Sequence, residues 1–144
     1  MFLCIIYSVW ARAPPVNKTR RRFLMQKRIL VVDDDEMNLT RAKIILKNEY
    51  DVLLADSGIK ALDMLKKEQV DLVLLDIEMP KMNGFVTFRR MKESVGEIPV
   101  IFLTASGLED DVLSAIKLGA VNYLKKPFLP QELLKRVAQE LEKQ

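Results

Sequence analysis

From Arg28 onward the chain alternates between two hydrophobic spacings. Five short apolar runs, residues 29–32, 52–55, 72–75, 100–103 and 121–124, are each followed by a stretch whose apolar residues recur every three or four positions. The runs are rich in Val, Ile and Leu, the pattern of strands covered on both faces, and they predict a parallel sheet with helices on either side. Leu39, Ala42, Ile45 and Leu46 share one face of a helix over residues 38–47. Ser57 suits the N-cap of a second helix with Ile59, Leu62 and Leu65 turned inward, and Asn83 that of a third carrying Phe85, Phe88 and Met91. Residues 108–118 place Val112, Ala115 and Ile116 on one side, with Gly119 where a helix ends in left-handed backbone. Pro130 fits the first turn of a last helix over 131–141. Five strands alternating with five helices predict a doubly wound α/β sheet with right-handed crossovers. Periodicity leaves the strand order open.

Length adds one constraint: 144 residues make one domain of ordinary size, and 49% hydrophobic beside 30% charged residues exclude general disorder. Residues 1–27 stand outside the alternation and are read as a leader, with 28–144 as the domain. Residues 2–11 are apolar apart from Ser8, then Pro14-Pro15 and a basic run follow. That stretch is too short for a bilayer, which needs about 20 residues, and no positive charge precedes it as a secretion signal requires. It is read as a disordered extension or a start placed upstream of Met25, and attachment to a membrane surface is the alternative. Cys4 reads as an incidental small hydrophobe.

Charge changes the picture once it is divided. The whole chain is +3, yet the first 27 residues hold six basic and no acidic side chains. Residues 28–144, with 17 basic against 20 acidic, are net negative, so the basic balance is no nucleic-acid footprint of the domain. One cysteine and no histidine exclude an internal disulfide, a zinc cluster, a Ser-His-Asp or Cys-His nucleophile and a phosphohistidine on this chain.

In a doubly wound sheet, ligands collect outside the carboxyl ends of the strands. The first run ends in Asp33, Asp34 and Asp35, the third in Asp76, the fourth in Thr104 and the fifth in Lys125-Lys126-Pro127. Any one of these is unremarkable: an aspartate after a strand is often a helix cap, and a lysine is usually a solvated charge. Four at four strand ends bring carboxylates, a hydroxyl and an ammonium to one edge. Two carboxylates about 4 Å apart repel by roughly 4 kcal/mol at an effective dielectric near 20, so converging acids call for a cation or a proton. Oxygen ligands without His or Cys suit a hard ion such as Mg²⁺. A carboxylate beside such an ion, facing a lysine and a hydroxyl, suits nucleophilic attack on a phosphoryl group.

Four blocks, Ile29-Leu30-Val31-Val32-Asp33-Asp34-Asp35, Leu74-Leu75-Asp76-Ile77-Glu78-Met79-Pro80-Lys81-Met82-Asn83-Gly84, Ile101-Phe102-Leu103-Thr104-Ala105 and Tyr123-Leu124-Lys125-Lys126-Pro127-Phe128, resemble in order and spacing the signatures of the response-regulator receiver domain of two-component signalling. The resemblance runs from Arg28 to the C-terminus and implies a flavodoxin-like fold with strand order 2-1-3-4-5. It implies that Asp76 is the phosphoacceptor, supplied by a sensor histidine kinase or a histidine phosphotransfer protein. Mg²⁺ would be held by Asp33, Asp34, the Asp76 carboxylate and the Glu78 main-chain carbonyl. Thr104 would bond the phosphoryl group, Lys126 would pair with Asp76, and the Lys126-Pro127 bond would be cis. Thr104 and Tyr123 would form the switch that alters the face of helix 4, strand 5 and helix 5 for a downstream protein or a phosphorylation-dependent dimer. Core packing is the plain alternative for Tyr123. Glu78 and Ser106 are expected to set the phosphoaspartate lifetime, and Asn83 replaces an Asp frequent in the family without harm to a helix cap. A cytoplasmic stand-alone receiver like those of chemotaxis, with no membrane span, no direct nucleic-acid contact and its output in trans, is the expected protein. The competing class is a metal-dependent phosphatase or phosphotransferase with an aspartyl nucleophile. It would need a second catalytic aspartate where Glu78 stands, and a cap for which the chain has no spare residues.

Overall fold

Five strands pair in parallel in the order β2-β1-β3-β4-β5, as the resemblance implied. The structure is a computed structural model that describes residues 26–105, 109–120 and 122–143. Along the chain these are β1 (Arg28–Val32), α1 (Glu36–Leu46), β2 (Asp51–Ala55), α2 (Gly58–Lys67), β3 (Leu72–Asp76), α3 (Gly84–Ser94), β4 (Val100–Thr104), α4 (Glu109–Lys117), β5 (Asn122–Lys125) and α5 (Pro130–Glu142). Alternation of side chains along the strands divides the interior in two. Leu30, Val32, Val73, Leu75 and Phe102 pack with Ala61 and Leu65 of α2 and Phe88 and Met91 of α3. Ile29, Val31, Leu72, Leu74, Ile101 and Leu103 pack with α1 and α5 on the other face. Burying one such aliphatic side chain contributes about 2 kcal/mol, so the central strands and the helix faces packed on them stabilise the fold together.

The caps follow the sequence. Ser57 accepts from the Lys60 N–H at 3.2 Å and Asn83 from the Val86 N–H at 3.0 Å. Gly119 has a φ of 93°, Pro130 opens α5, and the Lys126-Pro127 bond is cis.

Four expectations are corrected. The first helix begins at Glu36 and not at 38, because Asp35 caps it, accepting from the Met37 N–H at 2.8 Å. Ile59 is 64% exposed while Gly58, Ala61 and Leu65 are buried: the inward face of α2 runs through 58, 61 and 65, and Ile59, one position on from Gly58, turns away from it. Ile116 of α4, also expected inside, is 56% exposed. Burial on both faces holds for β3 and β4, but β2 and β5, as edge strands, are only partly covered. Residues 106–108 and 121, where the fourth helix and the fifth strand were expected to begin, lie outside the described residues, as does the leader up to residue 25.

At the β5 edge, Arg136 of α5 donates to the Tyr123 carbonyl at 2.8 Å and to the Asn122 side-chain carbonyl at 2.7 Å. The same Asn122 oxygen accepts from the Tyr123 N–H, and its amide donates to the buried Glu140. Both outward main-chain groups of Tyr123 are thereby occupied.

Candidate functional site

Parallel pairing sets the carboxyl ends of β1, β3, β4 and β5 side by side, with Asp76 in register with Leu103 and Thr104 with Lys125. Asp33, Asp76 and Thr104 are buried there, whereas Asp34 is exposed at the rim. One carboxylate oxygen from each of Asp33, Asp34 and Asp76 lies within 4.8 Å of the others. Asp35, the third acid of the run, points into its helix cap instead, and its N–H donates to Asp33 at 2.9 Å. Lys126 reaches in from the loop after β5, its Nζ 2.8 Å from Asp33 Oδ2 and 3.3 Å from Asp76 Oδ1. The Lys126 N–H donates to the Thr104 carbonyl at 2.7 Å, tying that loop to the end of β4. Lys125, its neighbour, is exposed.

The acids are not balanced by one ammonium. Burial, helped by the Asp33 charge, pushes the Asp76 carboxyl up to about 6 against the lowering effect of Lys126. Burial acts to lower the Lys126 ammonium, but its hydrogen bond to Asp33 and the Asp76 charge outweigh this and hold it above the usual lysine value. Asp76 also accepts from the Glu78 main-chain N–H, while the Glu78 side chain faces solvent. Three hard oxygen donors with surplus negative charge and an open rim at Asp34 fit a divalent cation such as Mg²⁺.

Local sequence makes this backbone possible. The Gly84 N–H donates to the Ile77 carbonyl at 2.9 Å, and a Cβ at Gly84 would stand on the Asp76 carbonyl oxygen and 2.8 Å from the Ile77 Cα. Only glycine lets α3 start this close behind Asp76.

A sequence profile of the response regulator receiver domain matches residues 29–138. The chain belongs to this family. Curated relatives of the receiver include the alkaline phosphatase synthesis transcriptional regulatory protein PhoP of Bacillus subtilis, 38% identical over 114 residues, and the transcriptional regulatory protein CpxR of Escherichia coli, 42% identical over 111. These alignments cover 78% and 76% of this chain but 48% and 47% of the relatives, so the chain spans about half the length of the curated relatives it matches. A CheY-like response regulator receiver domain from Methanospirillum hungatei superposes with a TM-score of 0.77 at 30% identity, covering 82% of this chain and 95% of that one. The receiver is thus a module of two-component signalling, a family of signalling proteins that work with histidine kinases and bind Mg²⁺ at an acidic pocket.

Every expected site residue of the receiver except Ser106, which lies outside the described residues, has a place in the structure. Asp33, Asp34, Asp76, Thr104, Lys126 and the Glu78 backbone converge, whereas Tyr123 stands apart on β5 and is 37% exposed. Among the described residues no helix is long and apolar enough to cross a membrane. Sequence reasoning missed Arg41. Its guanidinium donates to the Phe128 carbonyl at 3.0 Å and lies 5.7 Å from the centre of the Phe128 ring, a contact between residues 87 apart that no local signal announces.

Proposed function

We propose that Asp76 is the phosphoacceptor of this receiver. A carboxylate oxygen of Asp76 forms a bond to phosphorus as the phosphorus–nitrogen bond of a phosphohistidine breaks; the bonding pair leaves with the imidazole, which takes up a proton. The donor is a histidine kinase or a histidine phosphotransfer protein. Lys126 faces the transferred oxygens and Thr104 donates its hydroxyl to one of them. Asp33, Asp34, Asp76 and the Glu78 carbonyl would hold Mg²⁺, which when bound would supply charge neutralisation on the phosphoryl group. Addition of about two negative charges in a buried pocket then biases Thr104 and Tyr123, and the surface of α4, β5 and α5 reports the change to a downstream protein or a second copy. Glu78 and Ser106, two positions beyond Asp76 and Thr104 along the chain, set how long the phosphoaspartate lasts. The receiver transfers to itself and loses the group slowly, so it is not a turnover enzyme. It works in the cytoplasm. Residues 28–144 form the receiver unit, and their negative balance favours protein contacts over direct contact with nucleic acid.

The observation that carries this reading is Asp76 itself, buried at a strand end within reach of Lys126 and two further carboxylates. Incubation with Mg²⁺ and acetyl phosphate, followed by intact mass, is expected to show one labile phosphoryl adduct that requires Mg²⁺ and is absent from Asp76→Ala. A Mg²⁺-dependent adduct that persists in Asp76→Ala would refute it.

A further inference from the structure

Lys126 sits on a short loop whose Phe128 packs against the core, while beside Lys126 and Pro127 the packing is open. Between this loop and α1 lies a cavity of about 380 Å³, lined by Val31, Ala42, Leu103, Ala105 and Pro127 on its apolar side. Along this open cavity the loop has no close-packed neighbour, so contact alone holds it only at Phe128. Polar ties supplement that contact. On one side the Lys126 N–H is bound to the Thr104 carbonyl. On the other, the loop reaches α1 through Arg41, whose Nη2 holds the Phe128 carbonyl while its guanidinium covers the Phe128 ring. Cation–ring contact and a charge-assisted hydrogen bond together fix both the direction and the depth of the loop. Arg41 itself is exposed and touches neither Asp76 nor Asp33.

We propose that Arg41 is a positioning residue for phosphoryl transfer: from α1 it straps the loop across the cavity and so holds the Lys126 ammonium against Asp76. This rests on Asp76 being the phosphoacceptor. A displacement of order 1 Å in a positioned group can cost up to about a hundredfold in rate. Because Arg41 is at the surface, its replacement leaves the core intact.

The test compares wild type, Arg41→Met, Arg41→Lys, Lys126→Met and the double variant Arg41→Met/Lys126→Met, in the full chain with Mg²⁺ and saturating acetyl phosphate. Arg41→Met is expected to slow adduct formation about tenfold and to speed hydrogen exchange at the Lys126 amide by a similar factor. Arg41→Lys, which keeps a donor for the Phe128 carbonyl, is expected to recover part of both losses. In the Lys126→Met background, Arg41→Met is expected to add nothing, since a strap has no effect once its cargo is gone. A full tenfold further loss in that background, or a Lys126 amide that exchanges as in wild type, would overturn the proposal. Should wild type accept no phosphoryl group at all, the reading of Asp76 fails, and the exchange measurement still decides whether Arg41 holds the loop.

Discussion

The two ends of the sheet each set a cation among acids, and the outcomes are opposite. At the amino end, Arg28 bonds Asp51 at 2.8 Å and Glu68 at 2.9 Å, while its main-chain N–H donates to Asp71. The Arg28 side chain is about a third exposed at 34%, its hydrogen bond to Asp51 raises its pKa, and water screens the rest. At the carboxyl end the acids Asp33 and Asp76 are buried and share one ammonium. Similar composition thus gives a surface clasp at one end and an unbalanced, reactive site at the other. Burial decides between them, because desolvation makes each missing counter-charge costly only inside.

That contrast can be broken most severely at Asp76. Asp76→Asn is expected to abolish the phosphoryl adduct by intact mass. It should also stabilise the fold. The Asp76 pKa is raised from 3.8 to about 6, so the folded protein holds a proton there that the unfolded chain has lost, and this contribution to stability is present below pH 4 and lost as pH rises through 6. Urea unfolding should therefore show Asp76→Asn more stable than wild type by about 2 kcal/mol at pH 7, with the gap closing near pH 4. Equal stability of the two proteins at pH 7 would show that Lys126 fully balances the cluster.

Lys126→Met is the next largest change, expected to slow phosphorylation about a hundredfold in single-turnover kinetics and to raise the Asp76 pKa above 6, read by carbon NMR, because Lys126 lowers it. Gly84→Ala should cost about 1–3 kcal/mol in unfolding experiments through overpacking behind Asp76. At the amino end, Asp51→Asn is expected to cost less than about 1 kcal/mol, to lose even that effect in high salt, and to leave adduct formation unchanged. A larger loss there would make Arg28 a structural centre and dissolve the contrast.

Much of this was legible in the order of residues. Runs of branched apolar residues and caps such as Ser57 and Asn83 are local signals, and the structure keeps them. Convergence of Asp33, Asp76, Thr104 and Lys126 followed from one rule about strand ends, applied four times. Helix phase was less legible: Ile59 and Ala61 exchange the burial their hydrophobicity suggests, since the inward face runs through Gly58, Ala61 and Leu65 and position on that face, not side-chain size, decides which one is covered. The role of Asp35 turned on two main-chain N–H groups of the next turn, and neither composition nor spacing separates a cap from a ligand among three consecutive aspartates. The Arg41 contact, bridging 87 residues, depends on where α1 and the last loop meet in space.

Tyr123 has a consequence for how such a protein changes over generations. With its outward N–H taken by Asn122 and its carbonyl by Arg136, β5 offers no ladder to a neighbouring strand at that residue. A partner on the surface proposed for α4, β5 and α5 would meet side chains such as Tyr123, Leu113 and Ile116, all exposed and carrying little of the fold's stability. Recognition there would be written in residues that folding does not own. Single substitutions could then change the choice of partner while the sheet behind them stays the same.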